Sequence, residues 1–105
     1  MWERVVGLRG KTLETLGRLR PFTIVEVTQN GVEVRVSTGN VRYIPRPNVE
    51  LSWAQLLRDN ELTLDDIRKN HTKANPAYVA ALLAEMPGVT KKTGPIRLWY
   101  EAERQ

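Results

Sequence analysis

Three groups of residues have the types and spacing that chemistry would need. Gly10-Lys11-Thr12 has the ending of a phosphate-binding loop, in which successive backbone N–H groups wrap an anion. Such a loop also needs a glycine five positions before Gly10. That residue is Val5, so a basic turn before a short helix is the expectation. His71, the one histidine, has Asp65 and Asp66 upstream as candidate orienting partners for a general base. Nothing in the spacing demands that contact, and Asn70-His71-Thr72 reads as a solvated loop. Asp59, Glu61, Asp65 and Asp66 carry enough charge to hold a hard cation weakly, but the alternating ligands and central glycine of a calcium loop are missing. Asp65 and Asp66 read instead as first-turn acids facing a helix dipole.

Other chemistry is excluded by composition. The chain has 105 residues and no cysteine, so disulfides, thiol catalysis and cysteine-based zinc sites are out. One histidine cannot make a His-pair metal site. No nucleophile–base pair or metal set stands out, and the expectation is a protein without enzymatic activity, metal or cofactor. Apolar residues make up 41% and charged residues 27%, which is globular rather than disordered composition. No apolar run approaches the ~18–20 residues of a membrane span, and the first residues are charged where a signal peptide is apolar. No membrane partner and a cytoplasmic location are therefore expected.

The remaining candidate is charge. The net charge is +4, and residues 1–47 carry eight basic and four acidic side chains, while the middle of the chain is acidic. Arg9, Lys11, Arg18 and Arg20 precede the first clear strand, and Arg35, Arg42 and Arg46 lie on or beside the sheet. If the N-terminal segment packs near the sheet's outer face, these seven share one surface. Arginine outnumbers lysine eleven to five, and its planar fork suits phosphate.

The elements that must position these residues are legible in part. Phe22–Thr28 and Val32–Ser37 flank Asn30-Gly31, a two-residue hairpin signal. That loop sets Val27 opposite Val34, Val25 opposite Val36 and Glu26 opposite Arg35. Val41–Arg46 adds a third strand with Val41 and Tyr43 on the same valine face, ended by Pro45 and Pro47. Three helices follow. Asn48 caps the first, with Val49, Trp53, Leu56 and Leu57 at helical spacing. Thr63 caps the second, with Asp66 completing a capping box and Leu62 and Ile67 forming a hydrophobic staple. Asn75-Pro76 starts the third, with Val79, Leu82, Leu83 and Met86 as its stripe and Pro87-Gly88 as its stop. Near the N-terminus, Val5, Val6 and Leu8 read as a short helix or strand, and Thr12, Leu13 and Leu16 as a further helical turn.

The sequence thus predicts an α+β fold: a three-stranded antiparallel β-meander followed by three helices, the first and third packing on the valine face. Residues 1–90 form a single α+β domain. Residues 91–105 are a linker and tail, in which 96–101 alternate as an additional C-terminal strand at a sheet edge of this chain or of a second copy. The second and third helices have a helix-turn-helix outline, but the third carries no Arg or Lys and cannot read base edges. The expected function is a small binding module that contacts DNA or RNA phosphates through Arg9, Lys11, Arg18, Arg20, Arg35, Arg42 and Arg46, with little sequence readout. The alternative is a protein-interaction or assembly module, with a protein partner or a homodimer, that uses Tyr78 and Ala81 on the alanine-rich helix 76–86 and Trp99-Tyr100 in the tail.

Overall fold

The computed structural model describes residues 1–101. A short helix, α1 (Trp2–Val6), precedes four antiparallel strands that lie in chain order in one sheet: β1 (Thr12–Glu14), β2 (Pro21–Val27), β3 (Gly31–Val36) and β4 (Val41–Pro45). Then come α2 (Arg46–Asp59), β5 (Glu61–Thr63), α3 (Leu64–Asn70), α4 (Pro76–Ala84), β6 (Val89–Lys92) and β7 (Arg97–Tyr100). The last three strands form a second antiparallel sheet in the order β5-β7-β6. The class is the expected α+β, with a fourth strand in the first sheet, a second sheet and a fourth helix. The fourth strand is Thr12–Glu14, expected as helix; it pairs with Thr23–Pro21, and the Thr12 and Thr23 hydroxyls meet at 2.9 Å.

The hairpin register differs from the expected one. Val27 pairs with Val32, Glu26 with Glu33, Ile24 with Val34 and Thr23 with Arg35, with a bulge at Val25. The chain reverses over Gln29-Asn30, one residue early, and neither residue has positive φ. Burial explains the shift. Phe22, Ile24, Val32, Val34 and Ile44 are fully buried, whereas Val41 and Tyr43 are 54% and 48% exposed. One extra residue in β2 lets the large Phe22 and Ile24 face the core while Val27 still points inward beside Val32. The sheet's inner face is therefore the phenylalanine–isoleucine face, and its outer face carries Thr23, Glu33, Arg35, Val41 and Tyr43. Glu26 opposes a like charge, and Arg9 offsets it through an ion pair at 3.2 Å.

Helix α2 begins two residues before Asn48, with Pro45 as its cap and Pro47 in its first turn, where a missing N–H costs little. Its buried positions are Val49, Ser52, Gln55 and Leu56, so Leu57 turns outward and Trp53 is half-buried. The capping box at Thr63 is formed as expected: the Thr63 hydroxyl accepts from Asp66 N–H at 3.1 Å, and the Asp66 carboxylate accepts from Thr63 N–H at 2.9 Å. Leu62 and Ile67, the staple pair, are both fully buried. Pro76 opens α4, but the Asn75 side chain donates to the Tyr43 carbonyl instead of capping the helix.

The expected linker and edge strand form a hairpin in which β6 is the edge strand and the C-terminal strand is central. Lys91 and Lys92 belong to β6, and β7 is the central strand of its sheet, bonded to β5 on one side and β6 on the other. Leu98 is buried with Leu62, and the apolar residues of both sheets and all four helices form one core. Residues 102–105 of the expected tail lie outside the described residues. Among the described residues, no helix is long and apolar enough to cross a membrane.

Candidate functional site

The fold separates the seven expected cations. Arg9 is paired with Glu26 beside the first sheet, and Arg35 stands on that sheet's outer face opposite Thr23. Lys11 lines a cleft with Glu3, Arg4 and Glu85. The segment Gly10-Lys11 is hydrogen-bonded to both backbone groups of Ile24, so its amides are not gathered around an anion. Arg46 is structural: it pairs with Glu50, donates to the Gln29 carbonyl at 3.2 Å and lies 4.8 Å from the Trp2 ring centroid. Arg42 sits on the inner side of β4, donates to the Ala74 carbonyl at 3.3 Å and stacks on Tyr78. Charge reversal at Arg42 or Arg46 would therefore disturb packing, although the sequence alone sets both outside the core.

Arg18 and Arg20 are different. They belong to the loop 15–20, which reverses between β1 and β2 with Leu19 in the left-handed region. Three clefts open around Gly17 in this loop. One, of about 410 Å³, is lined by Arg18, Arg20, Arg68 and Tyr78. A second, of about 590 Å³, is lined by Thr63, Arg68, Ile96 and Arg97. The third is lined by Lys91 and Thr93, with Glu14 and Glu85. Lys92 lies directly across the hairpin from Arg97. Arg18, Arg20, Arg68, Lys91 and Arg97 thus line clefts where loop 15–20 meets α3 and the β6–β7 hairpin, and Lys92 is a sixth cation beside Arg97. Arg68 is paired with Asp65 at 3.1 Å, and Arg97 with Glu61. Among the described residues the other four cations carry no ion pair. Four of these six were missed in the sequence because Lys91-Lys92 read as linker and Arg68 and Arg97 looked isolated. The available signal was the glycine-containing turn Thr93-Gly94-Pro95 between two alternating segments, which is itself a hairpin pattern.

The four aromatic and alanine positions of the alternative reading also part company. Ala81 is 3% exposed and Ala80 fully buried, because α4 is enclosed by α2, α3 and β6, with Tyr78 edge-on to Phe22 at 5.2 Å. Tyr100 packs edge-on against Trp53 at 5.5 Å. Trp99 points the other way, onto the outer face of the second sheet. The alanine-rich surface that invited a partner helix is already covered within the chain.

His71 is partly buried rather than freely solvated. Its Nε2 lies 2.7 Å from the Gln55 amide oxygen, which also accepts from Asn70, and its Nδ1 is buried without a hydrogen-bond partner. Burial and then the nearby Arg58 charge push its pKa below the ordinary histidine value, partly opposed by Asp66. It closes the end of α3 against α2. The acidic residues are likewise distributed: Asp59 is held low by its hydrogen bonds to Arg58, Glu61 serves Arg97, Asp65 serves Arg68 and Asp66 caps α3. Among the described residues no group of three His, Asp or Glu side chains is placed to hold a metal ion. Comparison with family models, curated proteins and solved structures found no match.

Proposed function

We propose that this protein is a small non-enzymatic binding module for the phosphates of a nucleic acid, engaged through the end formed by loop 15–20, α3 and the β6–β7 hairpin. The observation that supports it is that five cations line the clefts around Gly17 and a sixth, Lys92, pairs across the hairpin with one of them, four of the six without an ion pair among the described residues, in a chain of net charge +4. Cations on three separate elements suit a chain of regularly spaced phosphates, and backbone contact of this kind carries little sequence information. A helix-turn-helix reader would instead present the start of its second helix to base edges. Here that helix is α4, whose first turn is half-buried beneath loop 15–20.

The test is a fluorescence-anisotropy titration at low salt with the wild type, an Arg18→Glu/Arg20→Glu variant and an Arg35→Glu control. Arg18 and Arg20 are exposed, so the double variant is expected to fold as the wild type and to lose at least tenfold in affinity. Arg35→Glu, on the outer face of the first sheet and lining none of the clefts around Gly17, is expected to retain most of the affinity. Equal losses from both variants would contradict the location, and no binding at tens of micromolar would contradict the function.

A further inference from the structure

The outer face of the second sheet adds a feature that phosphate binding alone does not use. Leu98 is buried, so its neighbours Arg97 and Trp99 project from the opposite face of β7. On that face the cross-strand neighbours of Arg97 are Thr63 and Lys92, and those of Trp99 are Glu61 and Thr90. Thr90 and Lys92 are exposed and Trp99 is half-buried. The surface is therefore a small polar platform around one indole, with two cations at its hairpin end. The Arg97 guanidinium lies 5.9 Å from the Trp99 ring centroid and also lines the cleft shared with Arg68. Arg97 thus joins the basic end to the indole without a break.

We propose that the nucleic acid held here is single-stranded, with its backbone on the basic end and one unpaired base stacked on Trp99. This rests on the phosphate-binding reading above. An indole beside fixed cations suits a single strand because every unpaired base offers a π-face, whereas the bases of a duplex have theirs covered by their neighbours. Duplex readout lacks its usual instrument, since α4 is enclosed and carries no basic residue. Stacking also explains how the module would gain affinity with no base-edge contacts.

The experiment compares labelled dT12 with a 12-base-pair duplex on the wild type, Trp99→Leu and Trp99→Phe. Leucine keeps apolar cover over the sheet and removes the π-face; phenylalanine keeps a smaller one. Trp99→Leu should weaken dT12 binding by about 5- to 150-fold and leave duplex binding within twofold, with Trp99→Phe in between. In the wild type, the Trp99 indole N–H resonance should shift on adding dT12 while that of Trp53, packed under Tyr100, stays. That measurement decides the matter even if Trp99→Leu does not fold. An unmoved Trp99 resonance, or wild-type dT12 affinity in Trp99→Leu, overturns stacking while the phosphate reading stands. Absence of binding by either oligonucleotide overturns both.

Discussion

A Cβ on Gly31 would collide with the carbonyl oxygen of Ile44 and stand 2.7 Å from the Tyr43 ring, which lies over this glycine on the outer sheet face. The Tyr43 side chain is half exposed and can swing away, but the Ile44 carbonyl is part of the β3–β4 ladder and cannot. Gly31→Ala should therefore lower stability by about 1–3 kcal/mol, read from the midpoint of urea unfolding at constant m-value. An unchanged midpoint would show that the strands separate there without cost. The sequence marks Gly31 through the Asn30-Gly31 pair, where positive φ is the usual reason for glycine. The reason here is close approach of backbone, and the two leave the same trace in a sequence. Arg46 makes the same point in reverse: its type suggests a ligand contact, and its position over Trp2, beside Glu50 and the Gln29 carbonyl, makes it a brace.

Local elements were legible where their determinants are local. The Thr63–Asp66 capping box and the proline start of α4 are written within a few residues and each formed, and the staple residues Leu62 and Ile67 are both buried. Thr63→Ala should leave the Asp66 N–H without its acceptor and cost about 1 kcal/mol, seen as a lower urea midpoint; Thr63→Ser should restore most of it. No change in Thr63→Ala would mean that water replaces the cap freely. The register of β2 was not legible, because the bulge at Val25 answers to the burial of Phe22 and Ile24 against helices distant in sequence. The status of Lys91-Lys92 was hidden for a related reason. β7 pairs with β5, more than thirty residues earlier, and that long-range ladder turns a segment of linker composition into a paired hairpin arm.

For the molecule as a whole, the second sheet determines what the site can be. It pairs β7 with β5, sets β6 against α4, and places Lys91 and Arg97 in clefts that also border the loop carrying Arg18 and Arg20. Of the seven cations suggested by the sequence, Arg18 and Arg20 line these clefts, because they stand in the loop between β1 and β2 that borders them. The charge excess in the first half was readable; the surface it joins was not. If the unpaired Arg18, Arg20, Lys91 and Lys92 each neutralise a phosphate, binding must release about four counterion equivalents. The decisive measurement is the affinity for dT12 as a function of salt concentration. A log–log slope near −2.8 is predicted for four contacts on a single strand, falling by about half in Arg18→Glu/Arg20→Glu. A flat dependence on salt, or a slope that the double variant leaves unchanged, would contradict phosphate binding at this end of the molecule.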